Sequence, residues 1–573
     1  VTRQERAAQK IANHDRLVAM GQAVERRNGT GRNAKKKGRR LRTRRQIWVR
    51  RSLITVGIVV VLIIGGVAGD YYYLGSLVTK VNVSTLQSSG AAENILLIGS
   101  TSRCALKVQN AAYGLCSDGV NGVNSDIDMI LHLVPATHSV SLLSIPRDTF
   151  VPNAREIGAN KIDAALYEGP SQLVTAIEED FAIPINNYVE LNFDTFASVV
   201  NALGGVKMYF PVPVYDAYSG LNIEHAGCYD LDGYHALQVV RARHLQIQPD
   251  PSNHDPHTWP YEALSDIARI RRTHEFLRVL AAKVASRGLT NPITDQSILT
   301  SVLPDLTVDS GFSESKMASL AETFARTSIA NVPQFTYPGS DVNSGANGLL
   351  YQGYYYGDVV FPVQPNGLEA VNSIFDIKPG YNSFTDQQLP APSSIKMTVE
   401  NGTGVTNQAA DIANPLRAKG YDVLSTGDVT SDGPISEAVV WYGGPPPPKS
   451  GNWNSPAQAA AQSVLAQLQG PAILGYNPKM VTPGATVTLQ TGTGVTVSTR
   501  AATATTTTTK HAKKSSSTGT STKSSKSVTT TTVYTPPGMK NSPDFTAPSE
   551  TDMPLQPWDP RACNAAGTGP AHS

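Results

Sequence analysis

The sequence predicts an α/β protein: a larger layered domain, a smaller α/β unit behind it, one membrane-spanning segment in front, and disordered tails. Three observations carry that expectation. Between Asn94 and about Asp376, short apolar runs bounded by turn residues alternate with stretches of helical spacing. A second, shorter alternation runs from about Ser394 to Ser498. At both ends the composition changes to segments that lack the apolar residues of a core.

The first segment, 1–51, is a basic head expected to be disordered. Of the chain's 48 basic and 46 acidic residues, 17 and 3 lie in Val1–Arg51, leaving 31 and 43 for the rest. The head has no aromatic interleaving, so it reads as a topology signal rather than a nucleic-acid arm. Segment 52–74 follows. Leu53–Gly69 carries no charge and Tyr71, Tyr72 and Tyr73 come directly after it, an apolar run with an interfacial aromatic belt. The Arg/Lys block before it puts that side in the cytoplasm, and the basic stretch is too long for a cleaved signal peptide. The expectation is a single-pass anchor in the cell membrane, with the N-terminus cytoplasmic and the bulk of the chain outside.

Segment 75–380 is the main domain. Asn94–Gly99, Met129–Val134 and Ser139–Ile145 are predicted strands. Thr195–Leu203 is a predicted helix stopped by Gly204-Gly205, and Tyr261–Arg287 a long one with Gly288 as its C-cap. A Pro-rich linker, 381–393, leads to the second unit, 394–498. That unit is predicted as a strand from Ile395, a helix over Gln408–Lys419, a strand over Tyr421–Leu424, a helix over Pro456–Gln469 and a strand near Ala485–Leu489. From 499 to 573 Thr, Ser, Lys and Pro dominate, and disorder is expected. Of the four cysteines, Cys104 and Cys116 enclose a short polar loop and are the pair expected to bridge. The spacing leaves Cys228 and Cys563 unassigned.

The motifs of nucleophilic hydrolases, phosphate-binding loops and zinc peptidases (GxSxG, GxxxxGK[ST], HExxH) do not occur. What recurs is arginine near the ends of predicted elements: Arg103, Arg147, Arg241 and Arg243, with Arg269, Arg271 and Arg272 on the long helix. In an open α/β sheet such ends converge on one crevice, and guanidinium groups bind phosphate oxygens bidentately while staying charged. Asp126, Asp128 and Asp148 stand among them, which suits either an ion-pair network or a divalent cation facing a pyrophosphate. A lone arginine after a strand is most often a surface ion pair, and Lys161 reads equally well as a solvated helix start.

Taken in order, NILLIGSTSR (94–103), NSDIDMILHLVP (124–135), LLSIPRDTFV (142–151), NKIDAAL (160–166), FASVVNALGGVKMYFP (196–211), LDGYHALQVVRARH (231–244) and DIARIRRTHEFL (266–277) resemble the catalytic domain of the LytR–CpsA–Psr family. The unit at 394–498 is similar to the C-terminal LytR domain that follows it in actinobacteria. The resemblance implies a three-layer α/β/α fold with a mixed central sheet and an apolar tunnel for a polyprenyl-pyrophosphate glycolipid. It also implies transfer of the phospho-linked glycan (arabinogalactan or teichoic-acid-like) to a peptidoglycan hydroxyl, assisted by Mg2+ or Mn2+. On this resemblance Arg103, Arg147, Arg241, Arg243 and Arg269 hold the pyrophosphate, Arg147, Asp148 and Arg269 are catalytic, and Asp126 is a metal ligand. The family's first motif reads G-x-Asp-x-Arg, and here Thr101 occupies the Asp position; its hydroxyl is the weak second ligand, with water, Asp128 or Asp148 as the alternatives. A non-catalytic glycolipid scaffold, a polyprenyl-pyrophosphate pyrophosphatase and a membrane-bound regulator are the competing readings.

Overall fold

The computed structural model describes residues 76–101, 116–118, 123–156, 158–263, 265–287, 303–313, 315–317, 319, 332–342, 348–429, 436–448, 453–498 and 554–564. The basic head, the expected anchor at 52–74, Arg103 and Cys104 lie outside them. Among the described residues no helix is long and apolar enough to cross a membrane.

The chain enters through β1 (Thr79–Val81) and forms three long strands, β2 (Glu93–Ser100), β3 (Ser125–Val134) and β4 (Ser139–Ile145). A short ribbon, β5 (Phe150–Arg155) and β6 (Gly158–Lys161), precedes α1 (Pro170–Phe181) and β7 (Asn187–Leu191). Next come α2 (Phe193–Ala202), β8 (Val206–Phe210), β9 (Val214–Asp216), β10 (Leu221–Ile223), β11 (Gly227–Leu231), α3 (Gly233–Arg241) and β12 (Gln246–Ile247). The long helix α4 (Ser265–Arg287) leads to β13 (Leu306–Asp309), β14 (Gln334–Thr336), β15 (Gly339–Val342), β16 (Leu350–Tyr351), β17 (Tyr354–Tyr355), β18 (Val359–Gln364) and α5 (Asn366–Ile374).

The central sheet runs β1-β13-β7-β2-β3-β4-β14. It is mixed: β2 is parallel to β7 and antiparallel to β3, and β4 is antiparallel to β3 and parallel to β14. Side chains alternate across it. Leu96, Ile98, Ile130, Leu143 and Ile145 pack on Leu173, Val174 and Ile177 of α1. Ile95, Leu133 and Val140 face the other way, onto Val308 and Phe312. The capping chemistry is local. The Asn192 side chain accepts from the Thr195 N–H at the start of α2, and Asp232 does the same for His235 at α3. Gly204 and Gly205, both at positive φ, end α2 as the sequence predicts.

The second unit contains β19 (Lys396–Asn401), α6 (Gln408–Ala418), β20 (Asp422–Asp428), β21 (Ala438–Tyr442), α7 (Pro456–Leu465), β22 (Leu468–Tyr476), β23 (Val487–Thr491) and β24 (Thr496–Val497). It is mostly β, with more strand than the predicted reading gave it. Helix α7 stops at Leu465, and the residues from Leu468 on are a buried strand instead. The two units share a sheet, because β18 pairs antiparallel with β22 through Val363↔Pro471 and Gln364↔Gly470. Asn153 and Tyr476 close the junction with a reciprocal pair of hydrogen bonds of 2.8 and 2.9 Å.

The expectation of disorder after Thr499 fails at 554–564. There β25 (Arg561–Ala562) adds to β8, Cys563 is disulfide-bonded to Cys228, and Asp559 is fully buried. These few residues dock because they bring specific partners to the domain rather than a core of their own. The rest of the tail, and Cys104 of the expected Cys104–Cys116 pair, lie outside the described residues.

Candidate active site

The site forms where β3 begins, β4 ends and α4 begins. Arg147 follows β4 and reaches in two directions. One terminal nitrogen donates to Asp126 and the other to Asp163 at 2.8 Å. Burial pulls the Arg147 guanidinium down, but the carboxylates of Asp126, Asp163, Asp148 and Asp266 outweigh it and hold the charge in place.

Asp148 accepts a 2.8 Å bond from Lys161 and has Arg243 3.9 Å away. Burial raises its carboxyl, yet Arg147, Lys161 and Arg243 together keep it below its ordinary value. Lys161 is therefore part of the site, not a solvated helix start. Asp163 is buried, and desolvation pushes it up to about 6 in spite of Arg147. Nothing local in the sequence marks it, although it lies inside NKIDAAL.

Arg269 is buried on α4 and is held by Asp266 one turn before it, at 2.8 and 2.9 Å. The second Asp266 oxygen is buried without a partner. Arg241, the last residue of α3, lies 4.7 Å over the ring of Phe193. Arg241 and Arg269 sit with Asp126 on the wall of a cavity of about 130 Å3. The rest of that wall is overwhelmingly apolar: Leu97, Met129, Phe196, Val199, Leu277 and Leu280 among others. Gly99 belongs to it too, and a Cβ there would stand 3.0 Å from the Ile127 Cβ. The structure thus gathers Arg147, Arg241, Arg243, Arg269, Asp126 and Asp148 and adds Lys161, Asp163 and Asp266.

Arg272, three residues after Arg269, does not join the site: it turns away to Glu262 and the Ala242 carbonyl. Asp128 lies opposite Ile98 and Ile145, where burial pushes its carboxyl up to about 8 in spite of the charges of Arg269 and Arg147. The Thr101 hydroxyl donates to the Asn124 carbonyl at 3.1 Å and accepts from the Asn124 N–H at 3.0 Å, closing the end of the β2–β3 pair and leaving one lone pair.

That bears on the expected divalent ion. Asp126 is taken by Arg147 and Asp148 by Lys161. Among the described residues no group of three Asp, Glu, His or Cys side chains is placed to hold a metal by itself. Asp126, Asp148 and Asp163 all lie against Arg147, and one or two of these carboxylates together with pyrophosphate oxygens are the donors a Mg2+ or Mn2+ ion would take. Thr273 and His274 are structural: Thr273 bonds back to the Arg269 carbonyl at 2.9 Å, and His274 contacts the Ser144 hydroxyl at 2.7 Å.

Known proteins resemble parts of this chain. The family model described as LytR_cpsA_psr matches residues 74–359, and that described as LytR cell envelope-related transcriptional attenuator matches 394–495. The chain is 32% identical over 275 residues to a probable cell wall biosynthesis protein LcpB of Corynebacterium glutamicum, covering 47% of this chain and 60% of that one. It is 28% identical over 254 residues to the polyisoprenyl-teichoic acid–peptidoglycan teichoic acid transferase TagU of Oceanobacillus iheyensis, covering 40% and 73%. A solved LytR-Csp2A-Psr enzyme from Actinomyces oris superposes with a TM-score of 0.40 at 21% identity, covering 52% of this chain and 95% of that one. The chain belongs to the LytR–CpsA–Psr family.

Proposed function

We propose that the protein transfers a glycan phosphate from a polyprenyl-pyrophosphate carrier to a hydroxyl of peptidoglycan. The observation that carries this reading is the apolar cavity whose wall ends in Arg241, Arg269 and Asp126, beside Arg147. A long isoprenoid chain suits the apolar wall, and a pyrophosphate suits the cations beyond it. The printed activity of the TagU relative, a polyisoprenyl-linked polymer joined to peptidoglycan, supports the same class of reaction.

The chemistry is positional and electrostatic. The acceptor oxygen attacks the sugar-linked phosphorus in line with the bridging oxygen. A new P–O bond forms, the bond to the bridging oxygen breaks, and polyprenyl monophosphate departs with the electron pair. Arg147, Arg241, Arg243 and Arg269 hold the phosphate oxygens and neutralise the charge growing on the leaving group. The acceptor proton goes to Asp163. Its carboxyl, held near 6, is better matched to a base at neutral pH than Asp148, which its cations keep ionised. No step is assigned to a metal ion.

The same reading puts the protein at the cell membrane, anchored through 52–74, with the uncharged run and its basic flank as support. The test is to incubate the full chain with a polyprenyl-pyrophosphate glycan and nascent peptidoglycan. Covalent attachment accompanied by release of polyprenyl phosphate is expected. Hydrolysis without attachment would make the protein a pyrophosphatase, and binding without turnover a scaffold.

A further inference from the structure

A second feature lies beside the site and takes no part in the chemistry above. Strands β16 and β17 form a two-residue ribbon with Leu350 opposite Tyr355 and Tyr351 opposite Tyr354. The turn between them, Gln352-Gly353, has both residues at positive φ, the geometry that matches the twist of a tight hairpin. The ribbon is firmly seated. Tyr351 and Tyr356 pack edge-on against Phe150 at ring distances of 5.4 and 5.1 Å, and Phe150 lies two residues beyond Asp148. The Val360 N–H donates to the Asp148 carbonyl at 2.9 Å. A Cβ on Gly357 would stand 3.8 Å from the Lys161 ammonium.

The outer part of this ribbon is left in water. Tyr354 is 70% exposed, Tyr355 61% and Leu350 50%. Folding gains little from large side chains placed there, and clustered exposed aromatics on a fixed support mark a contact surface. The charge nearby narrows the partner. Asp358, three residues after Tyr355, is exposed, while Asp341, paired across the sheet with Val360, has its carboxyl pushed up to about 6 by burial and by Asp266, Asp148 and Asp358. The hairpin thus offers aromatic rings beside an acidic strand pair, with Lys161 only at its foot, a poor match for a phosphate-rich surface such as an anionic membrane or a nucleic acid. Such aromatics and carboxylates suit sugar rings, whose C–H faces stack on phenols and whose hydroxyls donate to carboxylates.

Position selects which sugar. A chain of contacts joins the cavity to the hairpin: Asp126 on the cavity wall holds Arg147, Arg147 lies 3.8 Å from Asp148, Asp148 holds Lys161, and the Lys161 ammonium lies against Gly357 at the hairpin's foot. With lipid at the cavity end, an in-line displacement brings the acceptor from the opposite end. We propose that the 350–355 hairpin is the acceptor subsite, where Tyr354 and Tyr355 stack on successive rings of a peptidoglycan glycan strand. The choice of acceptor over donor glycan rests on the transferase reading above.

The test uses the full chain and its Tyr354→Ala/Tyr355→Ala double variant, with Tyr354→Phe/Tyr355→Phe as the conservative control. Neither tyrosine belongs to the Phe150 core, so circular dichroism and Tm are expected to match wild type. The binding probe is purified insoluble peptidoglycan freed of attached polymer. The Ala pair is expected to bind about tenfold more weakly and the Phe pair like wild type, since stacking needs the ring and not the hydroxyl. In the transfer assay KM for acceptor is expected to rise about tenfold, with KM for the lipid donor unchanged. Wild-type binding and acceptor KM in the Ala pair would overturn the subsite. So would a loss of binding to phosphatidylglycerol and phosphatidylethanolamine vesicles in place of peptidoglycan. If wild type shows no transfer yet the Ala pair still loses peptidoglycan binding, the transferase reading fails and the glycan subsite stands.

Discussion

Helix α4 carries two kinds of arginine within one turn. Arg271 bonds to Glu262 at 2.7 Å and to Asp559 at 2.5 Å. Arg272 donates to Glu262 and to the Ala242 carbonyl, with Asp559 3.9 Å away. The carboxylates are shared and fixed in turn, since the Trp558 indole donates to Glu262 at 2.8 Å. Arg269, as deeply buried, has Asp266 as its carboxylate and opens onto the cavity wall. Burial alone therefore says nothing about role. What separates them is access: Arg271 and Arg272 turn to protein groups away from the cavity, while Arg269 lines the cavity wall, where an anion can reach it.

The comparison breaks most visibly at Arg147. Arg147→Ala is expected to lower turnover about 100- to 1000-fold, the scale seen when a donor to transition-state charge is removed. Its thermal unfolding should stay cooperative, as a calorimetric scan would show. Next comes the brace. Asp559→Asn leaves two buried guanidinium groups short of a counter-charge and should cost about 3 kcal/mol in denaturant unfolding. At low temperature turnover should stay within about threefold of wild type. A loss of turnover like that of Arg147→Ala would erase the distinction between the two kinds of arginine.

A smaller effect comes from Asp128. Its folded carboxyl titrates near 8 against an ordinary value of 3.8, so the folded state holds the proton more tightly than the unfolded chain. Stability should then fall as pH rises from about 4 to about 8 and level off above that. Asp128→Asn, which carries no such proton, should make that slope shallower and gain on the order of 2 kcal/mol at pH 8, while Glu178, Glu179, Asp180 and Glu437, also raised by burial, keep the remainder of it.

Much of the fold was legible because its signals are local. β2, β3 and β4 are runs of apolar residues, and Asn192, Asp232 and the Gly204-Gly205 pair punctuate the helices within three residues of where they act. β22 was not legible. It is buried on both faces, so its Leu, Ala and Ile residues show no alternation and merge with the helical run before them. Arg147 and Arg269 were found through the family motifs. Asp163 and Asp266 lie in those same motifs, but their roles depend on which arginine folding brings opposite them. Asp559 meets Arg271 across 288 residues and Cys563 meets Cys228 across 335, out of a stretch whose composition signals disorder. Thr101 was legible as a departure from the family pattern, but its bonds to Asn124 were not.

The most direct measurement is a single-turnover assay of the full chain with a labelled polyprenyl-pyrophosphate glycan and nascent peptidoglycan, run beside Arg147→Ala and Asp559→Asn. The account predicts that wild type and Asp559→Asn release polyprenyl phosphate in step with glycan attached to peptidoglycan, while Arg147→Ala binds lipid and releases almost none. Equal release from wild type and Arg147→Ala, or no attachment by wild type, would contradict it.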